Sequence, residues 1–262
     1  MLHLEGAYRM TEYQKIYHCA KRPVDIWTNY LYYNFSMRFV WLIRKTNITP
    51  NQLTVLSLVV AAIGCFLFAL GTRPMVITGL ILVQISYIFD CADGQLARYK
   101  QQFSALGGWL DQMADRIKEF LVYFSLAYGY TRYHSGASIW AFAMTGLFSL
   151  YLLEYYGQIM KTYRPKMKEV YQPKQAALDD NDSAAIIEPD IVQQGSTFTT
   201  LRKMRRMVPF HGFHIGEQYA AMLIFVAFNA IYPFFVFVAC LGILMDIYRP
   251  LVDFMKLRRG AE

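Results

Sequence analysis

Apolar residues dominate six stretches of the chain, each close to the length of a membrane-crossing helix. These stretches cover residues 52–71, 75–97, 105–130, 137–160, 214–231 and 233–254. A helix needs about 20 apolar residues to cross the hydrocarbon core of a bilayer. The pattern therefore predicts an all-α integral membrane protein with six transmembrane helices. Acidic residues interrupt the second and third stretches, so hydropathy alone scores these two weakly.

The segment before the first stretch mixes aromatic and basic residues. Trp27 and Trp41 stand among basic positions within residues 22–46. This composition is typical of an amphipathic helix that lies in the membrane interface, although an ordinary cytoplasmic helix has a similar one. We therefore divide the chain into an N-terminal segment, 1–46, which contains this helix, and a six-helix membrane domain, 47–262.

Polar signals indicate where the helices begin and end. Thr49 followed by Pro50 predicts the start of the first transmembrane helix. The one long polar segment, 161–210, is basic, then acidic, then basic again. Pro165 and three later prolines argue against a long helix in this segment. We therefore predict a cytoplasmic loop over residues 161–210.

Composition and charge agree with a membrane protein. The chain is 55% hydrophobic and only 17% charged, whereas a soluble domain carries about 25% charged residues. If the N-terminus is cytoplasmic, the outer loops carry only Arg73 and Arg132. This is the positive-inside pattern, and it places both termini in the cytoplasm. The net charge of +7 then reflects topology and anionic lipid rather than nucleic acid. The four cysteines show neither zinc spacing nor a disulfide framework.

One acidic motif joins the second and third apolar stretches. Its form is D-x2-D-G-x2-A-R-x8-G-x3-D-x3-D, and its fixed residues are Asp90, Asp93, Gly94, Ala97, Arg98, Gly107, Asp111 and Asp115. A charged side chain at membrane depth costs a few kcal/mol or more unless it is paired, hydrated or metal-bound. The apolar run 75–89 covers roughly 22 Å as a helix. We therefore expect a functional site in the cytoplasmic leaflet, accessible from water.

The spacing of the four acids favours a divalent cation site. In helices, Asp90 and Asp93 share one face, and Asp111 and Asp115 share another. A short turn near 99–104 would make the two helices antiparallel neighbours, with both pairs directed at one cavity. Ligand sets of oxygen alone select Mg²⁺, Mn²⁺ or Ca²⁺. Four carboxylates exceed what one Mg²⁺ usually takes from protein, which favours two metals.

The motif resembles the signature of the CDP-alcohol phosphotransferase (CDP-alcohol phosphatidyltransferase) family at every fixed position. The matching residues are Asp90-Cys-Ala-Asp-Gly-Gln-Leu-Ala-Arg98, Gly107 and Leu110-Asp-Gln-Met-Ala-Asp115. The segment Ile48-Thr-Pro-Asn-Gln-Leu-Thr54 is similar to the family's usual entry to its first span. The resemblance covers residues 46–250 and leaves the first twenty residues and the 161–210 loop unexplained.

This resemblance implies both a reaction and a site. A CDP-linked alcohol donates its phosphoryl-alcohol group to an acceptor hydroxyl, and CMP is released. Two divalent cations, Mg²⁺ or Mn²⁺, would be held by Asp90, Asp93, Asp111 and Asp115. The candidate base for the acceptor's proton is Asp115. The cytidine diphosphate would lie in a pocket lined by Gly94, Ala97, Arg98 and Gly107.

The sequence does not identify the donor or the acceptor. Because the site lies at membrane depth, we expect a CDP-linked lipid donor such as CDP-diacylglycerol, which places the protein in phospholipid biosynthesis. The alternative is a soluble donor of the CDP-inositol or CDP-aminoalcohol type. The acceptor is a polyol, an inositol phosphate, glycerol phosphate, serine or a lipid alcohol. From the resemblance we also expect a homodimer among membrane lipids, in a prokaryotic plasma membrane.

Polar residues near the motif are candidates for the acceptor pocket. They are Arg116, Lys118, Glu119, His214 and Glu217. The first three have a structural alternative as ion pairs, with one another or with the aspartates. His214 and Glu217 begin the fifth stretch, and their order and single copy argue against a metal role.

Two other classes of function remain as alternatives. A cation transporter would use the aspartates as its ion path, but the acids lie near one face, beside Arg98, and this suits a phosphate site better. A non-catalytic scaffold has no physical need for four clustered carboxylates. Metal-dependent CMP binding distinguishes the enzyme from both.

Overall fold

A computed structural model describes residues 11–22, 24–171 and 213–259, and its regular structure in these ranges is helical throughout. The α-helices are α1 (Glu12–Cys19), α2 (Tyr33–Ile43), α3 (Pro50–Leu70), α4 (Arg73–Lys100), α5 (Ala105–Thr131), α6 (Ser138–Tyr171), α7 (Ile215–Ala227) and α8 (Ile231–Arg259). A short π-helical turn, Thr28–Tyr32, leads into α2. The prediction of an all-α fold is confirmed for the described residues.

Six of these helices occupy the six predicted apolar stretches. Within the described ranges, three are long and apolar enough to cross a membrane, namely α3, α4 and the Ile231–Met255 part of α8. A fourth, α7, is apolar but has only 13 residues. Charged residues in the first half of α5 lower its hydropathy, as the sequence predicts. The count of six membrane spans therefore stays a prediction.

The start of α3 follows from its first residues. The Thr49 hydroxyl accepts a hydrogen bond from the Gln52 N–H at 3.3 Å, and the Gln52 side chain accepts one from the Thr49 N–H at 2.9 Å. Pro50 occupies the first helical turn, where its missing N–H costs nothing. At the other end, Gly71 adopts a left-handed φ of 74°, which favours glycine at a helix C-terminus.

One predicted boundary is wrong. The loop expected over 161–210 begins later, because α6 continues through Pro165 to Tyr171. A proline removes one backbone hydrogen bond from a helix. The 34-residue helix α6 retains its other hydrogen bonds and continues past this position. The remainder of the predicted loop lies outside the described residues.

Helix α3 is the main packing partner of the two helices that follow it in sequence. It packs against both α4 and α5, while α8 packs against α6 and α7 packs against α4 and α8. The sequence predicted α4 and α5 as packed neighbours, but α3 is the main packing partner of each. The loop that joins α4 to α5 covers residues 101–104. Helix α3 therefore contacts the helices on both sides of this turn.

Backbones approach closely where α3 crosses α4. A Cβ atom on Gly64 would lie 2.9 Å from the Gly79 carbonyl oxygen, and one on Gly79 would lie 2.6 Å from the Gly64 carbonyl oxygen. Real Cβ atoms essentially never come so near, so each position requires glycine. Small residues at such crossings are typical of helices packed in membranes.

Large apolar side chains cover the outside of the bundle. Exposed examples occur on α3, α4, α6 and the α7–α8 turn, including Phe66, Ile81, Phe148 and Phe228. Contiguous exposed apolar surface indicates lipid or a partner protein. On α2, Met37 and Val40 are buried while Trp41 is exposed. The helix predicted within 22–46 is therefore present, and its position in a membrane interface stays a prediction.

Candidate active site

Three of the four motif aspartates meet where α4 ends and α5 begins, which we call the site end of the bundle. One carboxylate oxygen each from Asp90, Asp93 and Asp111 lies within 4.8 Å of the other two. Like charges at this spacing repel strongly in a partly buried environment. A divalent cation would relieve this repulsion, and carboxylate oxygen is the donor that Mg²⁺ and Mn²⁺ prefer.

Lys118 supplies one counter-charge inside the site. Its side chain is 3% exposed, and its ammonium lies 2.9 Å from an oxygen of Asp115. The ammonium also forms an ion pair with Asp90 and a 3.3 Å contact to the Ser57 hydroxyl. These contacts join α3, α4 and α5. The four aspartates and Lys118 together retain three negative charges, a balance that suits a site for divalent cations.

Asp115 occupies a different place from the other three aspartates. It is not among the carboxylates within 4.8 Å of one another, and it pairs with Lys118. Its side chain is 24% exposed. Its predicted roles as metal ligand and base therefore stay predictions.

Helix α3 contributes polar groups that the sequence reasoning missed. The Thr54 hydroxyl donates a 2.6 Å hydrogen bond to Asp93, which is only 5% exposed. Asn51, Thr54 and Ser57 recur at helical spacing on an otherwise apolar helix. This spacing indicates a polar face on α3, whereas the entry segment 48–54 by itself predicts only where the helix begins.

A cleft of about 280 Å³ opens beside the aspartates. Its lining contains every predicted nucleotide-binding residue, Gly94, Ala97, Arg98 and Gly107, together with Asp93 and Asp111. The rest of the lining comes from the start of α3 and from the turn before α5, namely Pro50, Asn51, Thr54, Gln102, Phe103, Ser104 and Gly108. The cleft is therefore continuous with the acidic group.

Glycines bring backbone close to this cleft. A Cβ on Gly107 would lie 2.6 Å from Asn51 Oδ1 and 2.8 Å from Ser104 Oγ, so the space is already filled by side chains. A Cβ on Gly94 would lie 3.4 Å from an Arg98 terminal nitrogen. The Arg98 guanidinium thus lies over the bare backbone of Gly94. Its Nε–H donates to the backbone carbonyl of Cys19 in α1.

Arg116 and Glu119 form an ion-pair network instead of lining the cleft. Arg116 lies 2.9 Å from Glu119 and also pairs with Glu154 of α6. The Tyr151 hydroxyl donates to the Arg116 carbonyl at 2.9 Å, and its ring lies 5.3 Å from the guanidinium. The ion-pair interpretation is therefore confirmed for these two residues. Lys118 pairs with the aspartates, and an acceptor role for the three residues stays a prediction.

His214 and Glu217 stand at the start of α7. The Glu217 carboxylate accepts a 3.0 Å hydrogen bond from the His214 N–H, and Glu217 is fully buried. Such a contact stabilises a helix N-terminus. Neither residue is among those that line the cleft, so their predicted acceptor role also stays a prediction.

Comparisons with known proteins identify related sequences and folds. Residues 47–175 match the family model described as CDP-alcohol phosphatidyltransferase. Archaetidylinositol phosphate synthase of Pyrococcus horikoshii is 31% identical over 108 residues, which are 41% of this chain and 53% of that protein. A bifunctional IPC transferase and DIPP synthase of Rubrobacter xylanophilus is 37% identical over 84 residues, 32% of this chain and 19% of that one. The chain thus spans about half of the first relative and a fifth of the second.

Solved structures share the fold. A phosphatidylinositol phosphate synthase of Mycobacterium tuberculosis, in complex with manganese and citrate, gives a TM-score of 0.51 at 15% identity, over 82% of this chain and 86% of that one. The same enzyme with CDP-DAG bound gives a TM-score of 0.50 at 16% identity, over 82% and 92%. The resemblance seen in the motif is confirmed: residues 47–175 match the CDP-alcohol phosphatidyltransferase family.

Proposed function

We propose that this protein is a membrane-embedded, metal-dependent CDP-alcohol phosphotransferase. It would transfer a phosphoryl-alcohol group from a CDP-linked lipid to an acceptor hydroxyl and release CMP. The observation that carries the proposal is the meeting of Asp90, Asp93 and Asp111 within 4.8 Å beside the cleft. Neither a transporter nor a scaffold needs a cleft with an arginine beside such a group.

The acidic group is suited to two divalent cations, Mg²⁺ or Mn²⁺. Asp90, Asp93 and Asp111 would hold them, with Asp115 beside Lys118 completing the set. When bound, such cations neutralise the diphosphate and the CMP leaving group. Lys118 offsets part of the repulsion among the acids through its ion pairs with Asp90 and Asp115, and Thr54 orients Asp93 through its hydrogen bond.

The cleft offers positive groups for the donor's diphosphate. Arg98 lines one wall, and guanidinium binds phosphate in a bidentate manner. The N-terminus of α5 forms the opposite wall, where Ser104 accepts a 2.9 Å hydrogen bond from the Gly107 N–H. Helix N-termini attract anions. Glycine at 94 keeps the backbone bare beneath the Arg98 guanidinium, whereas the space beside Gly107 is filled by the side chains of Asn51 and Ser104.

The chemistry requires one proton acceptor. The acceptor oxygen forms a bond to the donor's distal phosphorus, the bond from that phosphorus to the oxygen of CMP breaks, and the hydroxyl proton leaves. We assign the proton to the Asp115 carboxylate, which Lys118 holds in place at 2.9 Å. Positioning and charge stabilisation supply most of the catalysis in such phosphoryl transfers.

The relatives indicate which substrates to test first. Curated and solved relatives are named as archaetidylinositol phosphate and phosphatidylinositol phosphate synthases, and one solved structure contains CDP-DAG. We therefore propose a CDP-linked lipid donor and place an inositol phosphate first among the acceptors. The proposal includes six membrane spans, a site that faces the cytoplasm, and a homodimer.

Release of CMP by the purified protein tests the proposal. The assay uses Mg²⁺ or Mn²⁺, CDP-diacylglycerol or soluble CDP-alcohols as donors, and inositol phosphate, glycerol phosphate, inositol or serine as acceptors. We expect metal-dependent release that EDTA abolishes. Asp93→Asn and Asp111→Asn should each lower the rate at least a hundredfold, because each removes a charged ligand.

Asp253→Asn serves as the matched control, since Asp253 lies on α8 and contacts Tyr156 rather than the cleft. This variant should retain the unaltered protein's rate. Release that persists in EDTA and in both site variants would contradict the metal assignment. Absence of both CMP release and metal-dependent CMP binding would contradict the proposed reaction.

A further inference from the structure

Helix α1 lies outside the segment that matches the family, yet it packs on α4 and α2. It has eight residues and begins with a capping box, in which Thr11 and Gln14 exchange hydrogen bonds of 2.7 and 3.3 Å. A helix this short is marginal in water by itself. Its stability therefore depends on the surface against which it packs.

One face of α1 contacts α4. Tyr99 donates a hydrogen bond to the Glu12 carboxylate, and the Cys19 carbonyl accepts one from Arg98. Ile16 is fully buried in an apolar cluster that includes Met37 of α2 and Leu96 of α4. Positions 12, 16 and 19 follow the spacing of a single helical face. The contacts occur at the beginning, middle and end of α1, so the helix is held along its whole length.

The contact at the end of α1 involves a cleft residue. Carbonyl groups in the last turn of a helix lack partners within the helix, and arginine there also complements the helix dipole. The Cys19 carbonyl accepts a hydrogen bond from the Arg98 Nε–H. The two terminal nitrogens of Arg98 lie over Gly94 at the cleft wall. This arrangement leaves the terminal edge of the guanidinium, which carries two parallel donors, for a bidentate ligand.

The contact at the start of α1 is a hydrogen bond from the Tyr99 hydroxyl to a charged acceptor. Hydrogen bonds from Lys15 and Tyr99 lower the pKa of the Glu12 carboxyl below its ordinary value. Glu12 is therefore ionised at neutral pH and acts only as an acceptor, with Arg44 as a further nearby positive charge. The Tyr99 hydroxyl is one residue along the chain from Arg98, so this contact and the Cys19 contact restrain the same turn of α4.

We propose that α1 is a positioning element for the donor's diphosphate, which holds the Arg98 guanidinium against the cleft wall through the Cys19 carbonyl. The inference rests on the proposed function. It assigns a role to a part of the chain that the family match does not cover. Cys19 and Ile16 are then positioning residues, and Arg98 is the group that touches the nucleotide.

Ile16→Ala is the variant that tests this role. Alanine keeps the helix propensity of α1 and removes the buried side chain that docks it. We expect CMP affinity in the presence of Mn²⁺ to fall about tenfold, the size of one lost hydrogen bond to a charged group. The KM for the CDP-linked donor should rise similarly while kcat and Mn²⁺ affinity stay within about twofold. Tyr13→Ala is the matched control, because the Tyr13 side chain is 39% exposed. This variant should change none of these values.

A double-mutant cycle separates action through Arg98 from general loosening. In an Arg98→Met background, Ile16→Ala should weaken CMP affinity by less than about twofold further, since the group that α1 positions is gone. Equal losses in both backgrounds, or no loss from Ile16→Ala in the unaltered background, would overturn the inference. Failure of the proposed function shows separately, because the unaltered protein would then bind no CMP in the presence of metal.

Discussion

Gly107 and Gly108 are adjacent on α5, yet they meet different surroundings. A Cβ on Gly107 would displace Asn51 Oδ1 or Ser104 Oγ, whereas one on Gly108 meets nothing within 4 Å. We expect Gly107→Ala to lower the free energy of unfolding by about 1–2 kcal/mol, because it disturbs the Ser104 cap of α5. Gly108→Ala should leave stability unchanged or raise it by up to about 1 kcal/mol. Thermal unfolding in detergent measures both, and equal destabilisation would contradict the geometry.

We expect Lys118 to influence how strongly stability depends on divalent metal. Lys118→Met removes the partner of two carboxylates and should cost about 3–5 kcal/mol in EDTA, the usual penalty for breaking a buried ion pair. Divalent metal would restore part of this loss. We therefore expect Mn²⁺ to raise the Tm of this variant more than that of the unaltered protein.

The exposed Lys161 provides the control for this prediction. Lys161→Met should show the same Mn²⁺-induced Tm shift as the unaltered protein. A shift in Lys118→Met no larger than that would mean that Lys118 and the metal do not compensate the same charges.

Among individual residues, the motif aspartates can be predicted from the sequence, but their contacts with Thr54 and Lys118 cannot. The sequence identifies Asp90, Asp93 and Asp111 as site candidates because carboxylates are costly inside apolar stretches. Thr54 contacts Asp93 across 39 positions of sequence. The helical spacing of Asn51, Thr54 and Ser57 indicates a polar face on α3, but it does not show which carboxylate that face meets. The position of Lys118 between Asp90 and Asp115 depends on the distance between two helices, which periodicity does not supply.

At the scale of elements, the crossing of α3 and α4 depends on two glycines. Gly79→Ala would place a Cβ 2.6 Å from the Gly64 carbonyl oxygen. We expect a loss of about 1–3 kcal/mol in the free energy of unfolding, as for overpacked cores. Gly157 on α6 is the control, since a Cβ there meets nothing within 4 Å. Gly157→Ala should not destabilise the protein in the same thermal unfolding measurement, and an equal loss in both would contradict the close crossing.

Helix positions follow from sequence better than helix packing does. Apolar runs, the Thr49 cap and the short turn after Lys100 predict where α3, α4 and α5 begin and end. Hydropathy cannot show which helix packs on which, so α3 as the common partner of α4 and α5 was not predicted. The continuation of α6 through Pro165 shows that one proline is a weak signal for a helix end within a long helix.

At the scale of the whole molecule, the charge asymmetry predicts orientation. With the four native cysteines replaced, we expect a membrane-impermeant maleimide to label Gly136→Cys on intact cells, because the α5–α6 turn would face outward. Asn47→Cys, in the turn before α3 at the site end, should be labelled only after lysis. Both positions are outside the helices, and Asn47 is exposed. The reverse pattern would place the acidic site on the outer face.

The residues that line the cleft and form the acidic group lie within one short stretch of chain. Pro50, at the start of α3, and Lys118, on α5, bound this contiguous segment. Such a segment can be inherited as one block. The match to the Rubrobacter relative covers 19% of that protein. Transfer of this segment as a unit would keep Asp90, Asp93, Asp111 and Lys118 together.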